Sequence, residues 1–249
     1  MTKISIIIPT LNEAHTIGQL LHHLMENSTS SNIADIIVVD GGSTDGTRDL
    51  VKTYLTSRDV LDTKSSMEDF TRTDVRLLSS PKGRAIQMNL GAKNATGDVL
   101  YFLHADSFPP KDFDTYILNE VKRDNKAGCF RMTFNHEHWW LRLAGWLTQF
   151  PWRACRGGDQ SQFITKNLFY NLGGFNENYI IYEDNDLISR LYAIDEFVVI
   201  QKKLSTSARC YEKHGIWRLQ FHFWAIHLKH IFGSSAQDLH RYYQKHIAH

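Results

Sequence analysis

Cysteine is scarce, and the three residues present form no pattern: Cys129, Cys155 and Cys210 are far apart and make no C-x-x-C pair. That excludes a disulfide framework and a zinc knuckle and fits a reducing compartment. An excess of one charge is also missing. The 28 Lys and Arg residues nearly cancel the 27 Asp and Glu, so bulk charge offers no case for a nucleic-acid partner. No apolar run approaches the roughly 18 residues that mark a membrane span. The run inside "MTKISIIIPTLNE" is too short for a signal peptide and closes at Pro9. These absences lead to a cytoplasmic protein, at most peripheral to the inner membrane face. Neither G-x-G-x-x-G nor G-x-x-x-x-G-K-[ST] occurs, which disfavours a hydride-transfer enzyme and a P-loop ATPase.

What is present is a rhythm. "KISIIIPT", "IADIIVVD", "VRLLSS" and "DVLYFLHAD" read as four strands, the first two buried on both faces, and the second and fourth end on carboxylates. Helical patterns follow the first three. Asn12 is placed to cap the first, where Ile17, Leu20, Leu21 and Leu24 share a face. Strands alternating with helices predict right-handed βαβ units and a mostly parallel, Rossmann-like sheet. Residues 56–74 are polar and read as a surface loop extending the second helix. Beyond residue 107 the order becomes mixed α/β, with strands at "GCFRMTF" and "EFVVIQ" and helices at "HWWLRLAGWLTQF" and "EDNDLISRLYAI". No linker or repeat interrupts the 249 residues. The expectation is one domain with a nucleotide-binding half (1–107), an acceptor and catalytic half (108–215) and amphipathic carboxy-terminal helices (216–249).

Ligands of an open parallel sheet bind at the carboxyl ends of its strands. Those ends carry "PTLNE", "DGGSTDG", "SSPKGRA" and "HADS". Pro9, Leu11, Gly42, Ser43, Gly83 and Ala105 belong to these loops, whose small and polar residues let a backbone approach a ligand. Gly41 and Gly42 would clear the way to Asp40. Asp40 could accept from a nucleobase N–H and Glu13 from a base or a ribose hydroxyl, or each could serve only a turn or a helix cap. Lys82, Arg84 and Asn89 suit phosphate and sugar hydroxyls. In "CRGGDQSQF", Asp159 and Gln160 could hold hydroxyls or form a polar turn. "YEDNDL" sets Glu183, Asp184 and Asp186 at a helix start, where acids also complement the macrodipole.

"SIIIPTLNEAHTI", "IIVVDGGSTDGT", "GRAIQMNLGAKNATGDVLYFLHADS" and "GGFNENYIIYEDNDL" together resemble the family-2 glycosyltransferases of GT-A fold. Within them the sequence is most similar to a small bacterial subgroup with a GRAxQMNxGA…LHAD signature. The resemblance covers residues 1 to about 190. It implies a hexosyltransferase-type enzyme that moves a sugar, with inversion, from a UDP- or GDP-linked donor to a saccharide or lipid-linked acceptor. It further implies a divalent cation on the diphosphate, held at a D-x-D motif, and a base in the "ED" pair. Carried onto this chain, Asp184 is the base with Glu183 beside it, and Asp106 is the metal ligand. His104 replaces the first Asp of D-x-D and favours Mn2+ over Mg2+, because imidazole is a poor magnesium ligand. His214 falls where related enzymes place a late metal-binding histidine, and Arg209 is a candidate for the diphosphate. An alternative stays open: a non-catalytic nucleotide-sugar or membrane-surface binding protein on a degenerate GT-A scaffold, which His104 favours and the Glu183–Asp184 pair opposes.

Two aromatic segments remain. "HEHWWLRLAGWLTQFPW" reads as core packing. "WRLQFHFWAIHLKHIFG" aligns Trp217, Phe221, Trp224, Leu228 and Ile231 on one helix face, with little chain left to cover them. Such a face suits a membrane, a lipid-linked acceptor or a homodimer.

Overall fold

Seven consecutive buried residues, Ile4–Thr10, form β1, and the molecule is organised around it. The computed structural model describes residues 1–62, 73–157 and 160–247. After β1 come α1 (Ile17–Glu26), β2 (Ile33–Asp40), α2 (Thr47–Asp62), β3 (Asp74–Ser79), α3 (Arg84–Asn94) and β4 (Val99–Phe102). β1 pairs in parallel with β2 on one side and β4 on the other, and β2 pairs in parallel with β3. The second helix continues to Asp62, past the boundary expected at residue 56; residues 63–72 of the expected loop lie outside the described residues.

β1 is apolar except at Ser5 and Thr10, whose hydroxyls are hydrogen-bonded to Gly97 N–H and the Val39 carbonyl, because both its faces are covered. Ile4, Ile6 and Ile8 join Leu20, Leu21 and Leu24 of α1 in one cluster. Ile7 joins Ile37, Val39, Leu100 and Phe102 beneath Ala85, Met88 and Ala92 of α3 in another. Successive strand residues point to opposite faces, so a strand covered on both reads as a nearly continuous apolar run. Burial of each such side chain stabilises by about 1.5–3 kcal/mol. Pro9 is tolerated in this central strand because β4 pairs with β1 only as far as Ile7; its absent N–H faces the side that β4 has left.

The α3 helix lies so close to the sheet that a Cβ on Gly91 would overlap Cγ2 of Ile7. Gly91→Ala should therefore destabilise by about 1–3 kcal/mol despite its gain in helix propensity. Urea denaturation would read this as a lower midpoint at unchanged slope.

The second half supplies β5 (Ser107–Phe108), α4 (Phe113–Lys122), β6 (Ala127–Phe134), α5 (Trp139–Leu147), β7 (Gln162–Thr165), α6 (Lys166–Asn171), α7 (Glu183–Ala193) and β8 (Val198–Thr206). It ends in α8 (Arg209–His214), α9 (Ile216–Ile231) and α10 (Ala236–His246). The sheet runs β3-β2-β1-β4-β7-β6-β8-β5. β7 lies antiparallel between β4 and β6, and β8 is parallel to β6. A third cluster unites Leu141, Tyr182, Tyr211, Leu219, Ile226 and Leu239, which docks the carboxy-terminal helices onto the segment that leads into α7.

Three expectations need correction. Asn12 does not cap α1; its side chain accepts from Thr44 N–H at 2.9 Å, and Thr16 occupies the cap position. The fourth strand stops at Phe102, leaving Asp106 in the turn that follows. The first aromatic segment is not core: Trp139, Trp146 and Trp152 are exposed.

Candidate active site

The loops after β1 and β2 are stitched together at the sheet's carboxyl edge. Asn12 N–H donates to Ser43 Oγ at 2.9 Å, and Glu13 N–H to Thr47 Oγ1 at 2.9 Å. Ala14 N–H donates to Asp45 Oδ2 at 3.0 Å, while Thr47 N–H donates to Asp45 Oδ1. The Thr47 hydroxyl, first among these donors, holds the Asp45 carboxyl below its ordinary value. Much of the polarity of "TLNE" and "GGSTDG" is thus spent on holding the two loops side by side. Leu11 is half-buried within this junction.

Asp40 is fully buried at the end of β2. Its Oδ2 accepts from Gly42 N–H at 3.0 Å and Ser43 N–H at 3.1 Å. Arg48 Nη1 stands 3.5 Å from the same oxygen. Oδ1 has no hydrogen-bond partner. The turn is therefore made by one carboxylate oxygen, and the other is a buried acceptor left over. The neighbouring glycines have separate causes. A Cβ on Gly41 would come within 3.0 Å of the Gln87 side chain, whereas Gly42 has φ +94 with open space around it. Gln87 is held there by Thr10 and Val39 carbonyls at 2.8 and 2.7 Å.

Two arginines bring the remaining acids together. Arg209 Nη2, at the start of α8, donates to Glu13 Oε2 and to Asp106 Oδ2, each at 2.9 Å. Arg84, entering α3 from Gly83 (φ +148), places Nε 2.6 Å from Glu183 Oε1 and Nη2 4.0 Å from Asp184 Oδ2. The first is an ion pair whose angle lies outside hydrogen-bond geometry, since neither Glu183 oxygen is hydrogen-bonded. Burial pushes the Glu183 carboxyl upward, with Arg84 opposing and the Asp184 charge reinforcing the rise. His104 Nε2 lies 3.9 Å from Asp184 Oδ2.

Asp184 and His104 share a narrow cleft with Phe102, Gly157, Ser161 and Gln162. Gln160 is buried and accepts from Gly157 N–H at 3.1 Å; Asp159 lies outside the described residues. Gln162 escaped the sequence reading. Its amide nitrogen and oxygen are both buried without partners, and it lines the cleft beside Asp184. The signal available was its place in the polar run "DQSQF", where Gln162 opens β7 directly after the left-handed Ser161 (φ +58).

Other expected residues stand apart from this cleft. Lys82 is exposed. Asn89 accepts from Phe175 N–H at 3.0 Å and donates to the Phe175 carbonyl and to Glu177, so its amide positions the loop before α7. The Ala105 side chain is core. His214 closes α8. Among the described residues no three His, Cys, Asp or Glu side chains gather around a possible metal position. Asp106 faces the acidic junction with Glu13, while His104 turns to Asp184.

Known proteins share this architecture. The sequence profile of the family described as "Glycosyl transferase family 2" matches residues 5–176. Over 242 residues the chain is 26% identical to YdaM of Bacillus subtilis, a protein named as a glycosyltransferase, covering 90% of this chain and 55% of that one. Over 228 residues it is 32% identical to the dolichyl N-acetyl-alpha-D-glucosaminyl phosphate 3-beta-D-2,3-diacetamido-2,3-dideoxy-beta-D-glucuronosyltransferase of Methanococcus voltae, covering 77% of this chain and 67% of that one. The chain therefore spans little more than half of the first relative. In structure it is similar to a mannosyltransferase of Pyrobaculum calidifontis solved with GDP-Man and Mn2+, with TM-score 0.64, 19% identity, and coverage of 97% of this chain and 69% of that one. The fold is GT-A.

Proposed function

The chain belongs to glycosyl transferase family 2, and from that premise we propose that it transfers a sugar, with inversion, from a nucleoside-diphosphate donor to a hydroxyl acceptor. One observation carries the reading. Asp184 faces a cleft beside His104 with the Arg84 guanidinium 4.0 Å away, while Arg209 brings a second guanidinium to Asp106, two residues after His104. A departing diphosphate accumulates negative charge, which two positioned guanidinium groups offset. The attacking hydroxyl must shed a proton, and a carboxylate within the cleft can take it. Asp184 suits that role better than Glu183, which is fully buried against Arg84.

The base of the donor lies, in this reading, over the junction of the β1 and β2 loops. There the unpaired Asp40 Oδ1 awaits an N–H donor once the Gly42–Ser43 turn shifts. The donor is UDP- or GDP-linked; the Pyrobaculum neighbour holds GDP-Man. The acceptor is a saccharide or a lipid-linked sugar, the latter favoured by the dolichyl phosphate in the Methanococcus relative's name.

A hard divalent cation fits the chemistry of Asp106 and Glu13, two carboxylates already sharing one positive charge. Asp106 would hold it, with Glu13 beside it. When bound, such a cation supplies Lewis-acid stabilisation of the leaving group.

A thermal-shift screen tests the donor assignment. At 100 times its Kd the right nucleotide-sugar stabilises by about 2.7 kcal/mol, so one UDP- or GDP-sugar should raise the melting temperature clearly and others little. The rise should shrink when chelator removes Mg2+ and Mn2+. No shift with any nucleotide-sugar, in either metal, would reject the assignment.

A further inference from the structure

All six tryptophans of the chain fall in two stretches, residues 139–152 and 217–224, and in the fold those stretches meet. The rings of Trp139 and Trp140 lie 5.7 and 5.4 Å from that of Trp217, and Trp140 lies 5.8 Å from Trp224. Every one except Trp140 keeps between 49 and 60% of its surface in water. Along α9 the stripe of Trp217, Phe221, Trp224, Leu228 and Ile231 is exposed, while Leu219 and Ile226 on the opposite side are buried in the core. Along α5, Trp139, Leu143 and Trp146 repeat the pattern at i, i+4 and i+7. Contiguous apolar surface on two adjoining helices marks an interaction site, unlike scattered exposed leucines.

The charge on this surface is one-sided. From His138 to Gly157 and from Lys213 to Gln237 the chain carries six Lys and Arg and no Asp or Glu. Arg142, Arg153, Lys213, Arg218 and Lys229 are exposed; the sixth, Arg156, is buried against the Thr148 and Phe150 carbonyls. Glu137 and Glu212 border these stretches and Asp238 of α10 acts on Lys229, so on the face that carries the indoles cations outnumber acids.

We propose that this face docks on the surface of an anionic lipid bilayer. Indole rings settle at the headgroup level, where an apolar body and a polar N–H are both satisfied, and flanking Lys and Arg pair with anionic headgroups. No helix among the described residues is long and apolar enough to cross a membrane, so the helices lie on it. A second copy fits worse, because two-fold pairing would set one basic face against another.

The inner side of α9 packs on the residue that precedes α7. His227 Nδ1 lies 2.9 Å from the Tyr182 hydroxyl, and the His230 ring is 4.5 Å from the Tyr182 ring. Tyr182, held at φ +76, is the residue that starts the helix of Glu183 and Asp184. Docking therefore brings the start of α7 to the bilayer, where a lipid-borne acceptor could reach it; that consequence rests on the transferase reading, whereas docking itself does not.

The test is co-sedimentation of the full chain with phosphatidylcholine vesicles, with and without phosphatidylglycerol, followed in parallel by tryptophan emission. Binding to the anionic vesicles is expected, weakening with salt and accompanied by a blue shift. The triple substitution Phe221→Ser, Leu228→Ser, Ile231→Ser and the double substitution Arg218→Glu, Lys229→Glu should each weaken it about ten-fold or more. Both variants should keep the wild-type melting temperature and nucleotide-sugar shift, so a folding defect is distinguishable from lost docking. Vesicle binding without any nucleotide-sugar shift would leave docking intact and count against the transferase reading alone. Absence of vesicle binding at low salt, or binding that both variants retain, overturns the proposal. So does a lipid-free dimer that both variants dissociate, which would assign the face to a second copy.

Discussion

Asp184→Asn is expected to lower turnover by about 10²- to 10⁴-fold while leaving donor affinity nearly unchanged. The two side chains are close in size, so the cleft with His104 and Gln162 keeps its shape. Asn cannot accept the acceptor's proton, and the contacts assigned to the diphosphate come from Arg84 and Arg209. The loss should therefore appear in kcat with little change in the donor Kd, the mark of an interaction made only in the transition state. Glu183→Gln supplies the contrast. Glu183 is fully buried and 2.6 Å from Arg84 Nε, so its removal should disturb how Arg84 meets the donor and raise the donor KM more than it lowers kcat. Steady-state kinetics with isothermal titration separates the two variants. If Asp184→Asn turns over normally while Glu183→Gln is dead, the assignments are reversed.

How much of this was legible follows from what each residue does locally. The strands of the first half could be read because burial on both faces demands a continuous apolar run, and "SIIIPT" and "IIVVD" supply one. The loops were readable as polar but not in their purpose. Asn12 looks like a helix cap in one dimension; only the parallel register of β1 with β2 reveals that it bridges to Thr44. Gly41 likewise reads as room for a ligand, whereas the side chain it admits is Gln87, 46 positions away. The acid pair at Glu183 and Asp184 was visible, but not that both are buried, Glu183 against Arg84 arriving from another helix and Asp184 lining the cleft. The first aromatic segment was misread because an amphipathic pattern states that a face exists and not what covers it. The spacing of Trp217, Phe221, Trp224, Leu228 and Ile231 would be the same in a core. What distinguishes this helix is that Leu219 and Ile226 on its other side take the buried position.

Arg209→Ala should reduce kcat/KM by about 10²- to 10³-fold, the usual effect of deleting one donor aimed at a developing negative charge. In the free protein Arg209 Nη2 is shared between Glu13 and Asp106 at 2.9 Å each. The guanidinium side chain is 47% exposed, so this pairing contributes little to folding, under about 1 kcal/mol, and the variant should melt close to wild type. A side chain that binds two acids for so small a gain in stability is better accounted for by what it does when an anion arrives. In the proposed reading donor diphosphate would compete with Glu13 and Asp106 for the guanidinium and would release the two carboxylates beside it. Arg209→Ala releases them permanently. Two unneutralised carboxylates should bind Mn2+ more tightly than the wild-type pair does in the absence of nucleotide, which electron paramagnetic resonance of free Mn2+ would measure. Arg209→Lys retains one charge without the planar fork and should fall between the two, in both turnover and Mn2+ binding. Full activity in Arg209→Ala would remove Arg209 from the diphosphate site. Unchanged Mn2+ affinity would mean that Glu13 and Asp106 do not form a cation cradle even when free.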